Sequence, residues 1–423
     1  MVTISLLLGA VIGTVVYMSK SMSINGQCLT ENDELRSPLS VEGLLNGSTD
    51  FGFNVFTRLA PNARHSESNM AFSPFSIWSA LLMTYLGARG RTEDELNYLL
   101  GLKNASKADS GRAYKAVKYW YKLRSEHQIN YTLNLANSLF LERTFPLRDC
   151  IETYFGSEIS RVDFQRAPEA ARAAINSWVE KETKNKIRDL FPPGMMGSST
   201  LIAIVNAAYF KGKWQSQFKK ENTRKEVFHV TPGRDVMIDM MHQTNLFYHG
   251  ISADLDAQVL EMPFISEEVS MIFFLPLKDF LVDSVVRELS TERIRWLRHE
   301  LRKSEVEVAI PKFRVENNFE MTQLLTQMGL RDLFIPSQSN LSGFSDDRRL
   351  AVSTVRHKAF LEVNEEGSEA AAATGILAWR SARPLSPTSF IANKPFIFML
   401  HDNLSNVVLF LGVVNRPEIT NDV

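Results

Sequence analysis

The sequence has little of what a disulfide-rich or polytopic membrane protein needs. Cys28 and Cys150 are the only cysteines in 423 residues, which excludes a disulfide scaffold and a four-cysteine zinc site. They allow one bridge at most, and two unlinked thiols fit the sequence equally well. Beyond the N-terminal segment, no hydrophobic run is long enough to cross a bilayer. With 47 basic and 48 acidic residues, no overall charge directs the chain to nucleic acid or membrane.

The sequence also lacks the local motifs of common enzyme classes. It contains no HExxH, GxSxG, P-loop, GxGxxG or CxxC pattern. Its eight histidines show no ligand spacing that a second feature supports. His242 and His249 have a helix-face spacing, but the residues between them indicate strand or loop. We therefore predict no metal site and no enzyme, and a hydrolytic enzyme is the least favoured interpretation.

The first residues differ from the rest of the chain. Residues 2–18 are uncharged and mostly apolar, and Ser21-Met22-Ser23 suits a signal cleavage site. We predict a cleaved signal peptide over 1–23, a flexible leader over 24–47 and a secreted, extracellular product. The alternatives are a retained anchor and a segment without a targeting role. Asn-x-Ser/Thr sequons support export and are candidate glycosylation sites: Asn46, Asn104, Asn130, Asn340 and Asn403.

The remaining chain indicates one large domain. No linker, repeat or low-complexity tract interrupts residues 48–418, and 419–423 form a short tail. Helical periodicity dominates the first half, as over 76–86, whereas strand-like segments such as 269–275 and 407–414 dominate the second. Strands separated by helices without strict alternation are typical of an α+β fold built around large sheets.

One segment, from Glu362 to Pro395, is unusual. It leaves a predicted strand, passes Glu-Glu-Gly at 365–367 and enters the alanine-rich stretch 368–375. A connection of about 20 residues without secondary structure is uncommon and usually functional. One helical turn is an alternative, because alanine is the best helix former. In an extended strand, the even positions from 368 to 374 would form one small, uncharged face, which suits insertion between two existing strands.

Seven segments in this order resemble the serpin family over essentially 48–418. They are FSPFSIWSALLMTYLGARGRTEDEL (72–96), NLANSLFL (134–141), IVNAAYFKGKWQSQF (204–218), VEVAIPKFRVE (306–316), HKAFLEVNEEGSEAAAATG (357–375), ANKPFIF (392–398) and FLGVVNRP (410–417). The spacing in the fifth segment is most similar to the neuroserpin and antithrombin branches. The resemblance implies the serpin fold: a single domain with a large central mixed β-sheet, two further sheets, about nine helices and an exposed reactive-centre loop over about 365–391.

The resemblance also implies a suicide substrate. A target protease would cleave the loop and form an acyl-enzyme, and the freed hinge would insert as a new central strand and distort the protease. We predict a monomeric serine protease inhibitor whose partner is a trypsin-like protease. The alternative is a non-inhibitory serpin with a carrier, chaperone or storage role.

The matching segments also imply roles for individual residues. The hinge comprises Glu365, Glu366, Gly367, Ser368, Ala370, Ala371, Ala372, Ala373 and Thr374. The breach, where the hinge enters the sheet, comprises Lys312, Glu365 and Trp214. The shutter beneath the centre of the sheet comprises Ser76, Asn206 and His357.

The reactive bond is less sharply defined by the resemblance. Counting from the hinge glycine gives Ser381 as the specificity residue, but Arg380 suits a protease pocket with a carboxylate far better. We favour the Arg380–Ser381 bond. Arg383 is a weaker alternative because Pro384 follows it.

Two predicted helices carry basic stripes and resemble places where some serpins bind heparin-like polyanions. The residues are Arg295, Arg298 and Arg302, and Lys115, Lys118 and Lys122. A glycosaminoglycan is thus the only cofactor that we consider, and an ordinary solvated helix face is the alternative. Neither stripe has the interleaved aromatic residues that bind nucleic acid, so we predict no nucleic-acid partner.

Overall fold

The computed structural model describes residues 40–103, 105–127, 131–367 and 388–417. Within these ranges the chain forms nine α-helices and fourteen β-strands. The helices are α1 (Val41–His65), α2 (Pro74–Gly87), α3 (Gly90–Leu99), α4 (Lys107–His127), α5 (Asp149–Phe155), α6 (Pro168–Glu182), α7 (Val282–Glu288), α8 (Thr291–Glu300) and α9 (Thr322–Gln327). The strands are β1 (Met70–Phe72), β2 (Tyr131–Glu142), β3 (Ile159–Val162), β4 (Ile202–Gly212), β5 (Arg224–Thr231), β6 (Arg234–Ser252), β7 (Ala257–Pro263), β8 (Val269–Pro276), β9 (Arg302–Pro311), β10 (Phe313–Glu320), β11 (Val352–Val363), β12 (Thr388–Ile391), β13 (Phe396–Asp402) and β14 (Val407–Val414).

The central sheet has five strands in the order β10-β11-β4-β2-β3. Its middle pair, β11 and β4, is parallel, with a register from Val352 opposite Ile202 to Leu361 opposite Phe210. We call this pair the parallel seam. β10 and β2 flank it in the antiparallel sense, so the predicted mixed central sheet is confirmed. All of β4 except Lys211 is buried, because both faces of the sheet are covered, and this explains its continuous apolar sequence.

The other nine strands form a second sheet in the order β1-β14-β13-β8-β7-β6-β9-β12, with β5 also paired to β6. The resemblance implied two further sheets, whereas the described strands form one connected sheet. The connection is β6, whose 19 residues are long enough to pair with β9 through 240–249 and with β7 through 248–252. At one end of this sheet, Met70 of β1 lies opposite Val413 of β14.

Helices fill the space between the sheets and cover the outer face of the central one. All 14 residues of α2 are buried, since α2 contacts β14 on one side and β2 and β4 on the other. A helix enclosed in this way is apolar all round. On the opposite face of the central sheet, Ile175 and Val179 of α6 pack in one cluster with Ala203 and Val205 of β4. The nine helices of the described residues agree with the number that the resemblance implied.

Two boundaries differ from those expected. The leader was expected to extend to residue 47, but α1 begins at Val41. Ser40 caps it by accepting a hydrogen bond from Gly43 N, and Leu44 and Leu45 are buried. Helix α8 ends at Glu300, so Arg302 belongs to β9 and does not continue the predicted basic stripe. No helix among the described residues combines the length and apolar composition needed to cross a bilayer.

Candidate functional site

The chain leaves β11 through a tight turn over residues 364–367. Gly367 N donates to Asn364 O at 3.1 Å, and Glu366 N donates to Asn364 Oδ1 at 3.1 Å, an Asx turn that asparagine favours. Gly367 has a φ of 107°. A Cβ at this position would strike the carbonyl oxygen of Gly212 and would lie 2.6 Å from Trp214 N. Only glycine fits here, and it brings the chain against the end of β4.

The side chain of Glu365 ties this turn to the sheet. Glu365 is 5% exposed, and a buried carboxylate needs partners. Lys312 Nζ lies 3.4 Å from Glu365 Oε2, and Thr223 Oγ1 donates to Glu365 Oε1 at 2.8 Å. Leaving one partner of a buried ion pair alone typically costs about 3–5 kcal/mol. The turn therefore cannot leave this position without a substantial loss of electrostatic stabilisation.

Trp214 covers the same turn. Its indole Nε1 donates to Asn364 O at 3.0 Å, and its backbone N donates to Glu366 O at 3.0 Å. The indole stacks on Phe264 with centroids 4.3 Å apart and an interplanar angle of 13°. The structure thus brings Lys312, Glu365 and Trp214 together. Sequence reasoning missed Asn364, whose Asx-turn signal was present, and Thr223, for which the sequence offers no signal.

A row of four side chains, three of them polar, crosses the parallel seam at its centre. The register places Phe319, His357, Asn206 and Asn137 side by side on β10, β11, β4 and β2. His357 is fully buried, stacks on Phe319 and accepts a hydrogen bond from the backbone N of Ser73 at 2.9 Å through Nε2. Ser73 is the N-cap of α2. The row is therefore anchored to the helix beneath the sheet.

Ser76 and Asn206 complete this anchoring. Ser76 Oγ donates to Asn137 Oδ1 at 2.6 Å, and Asn206 Nδ2 lies 3.4 Å from the carbonyl oxygen of Arg356. Asn206 Oδ1 and His357 Nδ1 are buried and have no hydrogen-bond partner among the described residues. The structure brings Ser76, Asn206 and His357 together. Asn137 and Ser73 were missed. An asparagine in a strand carries no specific sequence signal, whereas Ser73 followed by Pro74 carries the signal of a helix N-cap.

Burial lowers the pKa of His357 to about 3. The imidazole is therefore neutral, and because Nε2 accepts a hydrogen bond, its proton lies on Nδ1. A charged imidazolium here would face a low-dielectric interior without a counter-ion. His357 thus contributes a polar but uncharged group at the centre of the seam, on the face that contacts the N-terminus of α2.

Taken together, the turn and the polar row define what the parallel seam can do. Both lie on β4 and β11, one at the end of the pair and one at its centre. An extended segment that followed directly from the 364–367 turn and entered the seam would run antiparallel to both strands. Antiparallel pairing is slightly more stable per residue than parallel pairing, so such an entry would improve the hydrogen bonding of the sheet.

The first basic stripe lies on α4 and is engaged by side chains of α5 and of the residues that follow α5. Lys118 Nζ lies 2.7 Å from Glu158 Oε1, and Lys115 Nζ lies 3.5 Å from the centroid of the Tyr154 ring. Burial lowers the pKa of Lys115. Lys122 is exposed on the same helix. The stripe is thus less positive than the sequence alone indicates.

The residues of the second stripe belong to two elements, because Arg295 and Arg298 are in α8 and Arg302 is in β9. Arg298 pairs with buried Glu261 at 2.7 Å, Arg295 contacts Asn46 Oδ1, and Arg302 donates to backbone carbonyl groups at the end of α8. Polyanion binding at either stripe stays a prediction.

Several predicted residues lie outside the described ranges, so nothing is placed for them. They are the hinge residues Ser368, Ala370, Ala371, Ala372, Ala373 and Thr374, the reactive-bond residues Arg380 and Ser381, and the sequons Asn104 and Asn130. Of the other sequons, Asn340 is exposed, Asn46 lies in α1, and Asn403 Nδ2 donates to Glu267 O and Ser270 Oγ.

A family model described as "Serpin (serine protease inhibitor)" matches residues 46–417. The chain belongs to the serpin family. Its similarity to human Serpin B3 is 34% identity over 394 residues, covering 89% of this chain and 100% of the relative. It is 37% identical to the leukocyte elastase inhibitor of Sus scrofa over 391 residues, with the same coverage. It is 33% identical to human neuroserpin over 404 residues, covering 92% of this chain and 97% of the relative.

Solved serpin structures have the same fold. Uncleaved ovalbumin superposes with a TM-score of 0.78 at 28% identity, covering 89% of this chain and all of ovalbumin. Human thyroxine-binding globulin in complex with thyroxine superposes with a TM-score of 0.79 at 25% identity and the same coverage. The expected family and fold are therefore confirmed.

In this serpin, replacing Gly367 tests the close approach between the turn and β4. Gly367→Ala should lower the thermal unfolding midpoint by more than Gly233→Ala does. Both glycines have positive φ, at 107° and 81°, but a Cβ at 233 meets nothing within 4 Å. The difference between the two shifts in midpoint measures the steric clash at residue 367. Overpacking of this kind typically costs about 1–3 kcal/mol. Equal shifts in the two variants would contradict the steric argument.

The buried His357 predicts a pH dependence of stability. Its native pKa, about 3, lies below the value of about 6.5 for an unfolded histidine, so the unfolded state binds more protons between these values. The free energy of unfolding is therefore highest above about pH 6.5 and falls toward pH 3, by about 2 kcal/mol at pH 5 from this residue. His357→Gln should reduce the loss between pH 7.5 and pH 5, measured by denaturant unfolding.

A second buried histidine should preserve part of this pH dependence in the His357→Gln variant. Burial, followed by the charge of Arg298, lowers the pKa of His401 to about 4, so His401 contributes in the same direction. His357→Gln should therefore flatten the pH profile without abolishing it. An unchanged profile would show that His357 does not carry the effect.

Proposed function

We propose that this serpin is a secreted inhibitor that traps trypsin-like serine proteases as a suicide substrate cleaved after Arg380. The observation that carries the proposal is the parallel seam, closed at its end by the 364–367 turn. The chain continues from this turn into residues 368–375, whose even positions are small and uncharged. A seam that favours antiparallel entry and a segment that fits it are the two parts that the trapping mechanism needs.

Cleavage would start the trap. The protease serine attacks the carbonyl carbon of Arg380, the bond to Ser381 breaks, and Arg380 remains as an ester on the enzyme. Release from Ser381 frees the hinge side of the loop, which enters the seam and carries the tethered protease with it. The native state is held back only kinetically, so the energy for distorting the protease is already stored.

Opening of the seam has a definite local cost. β4 and β11 must separate from about 4.8 Å to about twice that distance. The contacts that resist are those of Glu365 and Trp214 at the turn and of Asn206 and His357 at the centre. These contacts are made by polar or aromatic side chains and can form again against a new strand. The energy barrier to opening is therefore finite.

The proposed selectivity of the inhibitor for trypsin-like proteases depends on Arg380. A carboxylate at the base of a trypsin-like pocket binds a guanidinium through charge-assisted, two-pronged hydrogen bonds. Among the relatives, the leukocyte elastase inhibitor is named for inhibition of a protease, which supports the inhibitory class but not this target. Thyroxine-binding globulin is named for a ligand, which keeps a carrier role as the alternative.

Secretion is supported by the predicted signal and by cysteine chemistry. Cys150, in α5, is disulfide-bonded, and disulfides persist mainly in oxidising compartments. Cys28 is the only other cysteine in the sequence. We propose that the two are paired in the mature protein, which keeps Cys28 when a signal over 1–23 is removed.

Trapping is tested with trypsin. The protein should form a covalent complex that survives SDS, and the released peptide should begin at Ser381 by mass spectrometry. Ser368→Arg should become a substrate, because a charge on the inserted face would be buried without a partner. The stoichiometry of inhibition should rise at least about tenfold, which requires a change of only about 1.4 kcal/mol in the partition of rates.

Glu369→Arg is the matched control for that variant. It introduces the same side chain at the next position, which would lie on the opposite face of an inserted strand, so its stoichiometry should stay near that of the wild type. Hydrolysis of the loop without any complex would contradict inhibition and favour the carrier alternative.

Secretion and pairing are tested on protein recovered from the medium of a eukaryotic host. The mature N-terminus should lie close to residue 24, and a non-reducing digest should contain Cys28 and Cys150 in one linked peptide pair. Cys150→Ala should lower the free energy of unfolding by about 2–4 kcal/mol. A retained N-terminal segment, or two alkylatable thiols, would contradict the assignment.

A further inference from the structure

The connection from α6 to β4, residues 183–201, lies across the outer face of the central sheet, and we call it the strap. On one side the strap is fixed to α6. Arg172 Nη1 and Asn176 Nδ2 each donate to the carbonyl oxygen of Phe191 at 2.9 Å, and Phe191 N donates back to Asn176 Oδ1. Ile187 and Leu190 of the strap are buried in the same apolar cluster as Ala203 and Val205 of β4.

On its other side the strap is fixed to β10 and β11. Asn318 Nδ2 donates to the carbonyl oxygen of Leu190 at 2.9 Å, and Lys358 Nζ donates to that of Arg188 at 2.6 Å. Asn318 is on β10 and Lys358 is on β11, so both lie on the β11 side of the junction between β4 and β11. The strap therefore crosses the seam, and strands that part beneath it must break or stretch one set of these contacts.

A third contact on this side is chemically unusual. Arg356 of β11 is 8% exposed, and its Nη2 donates to the thioether sulfur of Met195 at 3.0 Å. Its Nη1 lies 3.4 Å from Asn318 Oδ1, and its Nε is buried without a hydrogen-bond partner among the described residues. A thioether is a weak acceptor. The buried guanidinium is therefore poorly satisfied, and burial lowers its pKa.

The residue that carries this acceptor is partly open to solvent. Met195 is 46% exposed, whereas the next residue, Met196, is 5% exposed. Oxidation of methionine to the sulfoxide follows exposure, and it converts an apolar side chain into one with a strongly polar oxygen. At Met195 that oxygen would arise next to a guanidinium with unused donors.

We propose that Met195 is an oxidation site at which a peroxide-class oxidant tightens the hold of the strap on β11. The sulfur attacks one oxygen of hydrogen peroxide, the O–O bond breaks, and the sulfoxide and one water molecule form. The sulfur is oxidised by two electrons and the peroxide is reduced by two. The sulfoxide oxygen accepts a charge-assisted hydrogen bond from Arg356 in place of the weak one to sulfur.

The consequence for inhibition rests on the proposed function. If a cleaved loop must enter the seam beneath the strap, a tighter strap slows entry, and more acyl-enzyme is hydrolysed before it is trapped. Oxidation at Met195 would then shift the serpin from inhibitor toward substrate. Methionine sulfoxide reductases would restore the original state.

The first test needs no protease. Full-length protein is titrated with hydrogen peroxide, and each sulfoxide is followed by peptide mapping. Met195 should be oxidised roughly fivefold or more faster than Met196, because susceptibility follows exposure. The thermal unfolding midpoint should rise by about 2 °C as Met195 sulfoxide forms. Equal rates at Met195 and Met196, or a midpoint that stays or falls, would overturn the proposal.

Matched variants separate this site from other methionines. Met195→Leu should abolish the peroxide effect, whereas Met237→Leu, at a methionine that is 51% exposed on β6 of the other sheet, should leave it intact. Met195→Gln supplies an amide oxygen to Arg356 and should raise the midpoint without oxidant. A peroxide effect that persists in Met195→Leu would overturn the assignment.

The second test uses trypsin. Peroxide treatment of the wild type, and Met195→Gln without peroxide, should each raise the stoichiometry of inhibition about twofold or more, equivalent to a twofold change in the partition of rates. An unchanged stoichiometry in an inhibitor that still forms complex overturns the consequence for trapping. Absence of any complex, with the midpoint shift intact, counts against the proposed function alone.

Discussion

β4 and β11 are hydrogen bonded as a parallel pair between antiparallel neighbours, and the remaining features of the central sheet depend on this pairing. Parallel ladders are slightly less stable per residue than antiparallel ones. The sheet has a second parallel pair, β2 and β3, but that pair is short and lies at the edge, so the β4–β11 pair is the natural place for the sheet to open at its centre. The tight turn closes its end, the polar row pins its centre, and the strap crosses its outer face. The turn, the polar row and the strap each add contacts that stabilise the closed seam beyond what the pairing of β4 and β11 provides.

The turn and the polar row share a chemical character that suits a seam meant to part. They consist of single hydrogen bonds, one ion pair and stacked rings, whereas the strap also buries the aliphatic side chains of Ile187 and Leu190. His357 and Asn206 each keep one buried polar atom without a partner, and an unsatisfied buried group costs roughly 1–3 kcal/mol. Such groups lower the stability of the closed sheet. They leave donors and acceptors ready for a strand that arrives later.

Sequence reasoning succeeded through the resemblance of seven ordered segments to one family. That resemblance implied the mixed central sheet, and it also implied the grouping of Lys312, Glu365 and Trp214 at the turn. It failed where a contact depends on distant chain packing. Nothing in the sequence marks Thr223 as the partner of Glu365. The predicted stripe through Arg302 assumed that α8 continues, whereas Leu301 is extended and begins the passage into β9. Helix periodicity cannot anticipate such an ending.

The pairing of β1 with β14 has a consequence for biosynthesis. Met70 lies opposite Val413, so the edge of the second sheet joins segments from near the start and near the end of the domain. A chain emerging from the ribosome cannot form this edge until its last strand has been made. Contacts of such long sequence separation slow folding and leave unpaired strands exposed in the meantime. The nascent polypeptide must therefore be protected from aggregation for almost the whole of its translation.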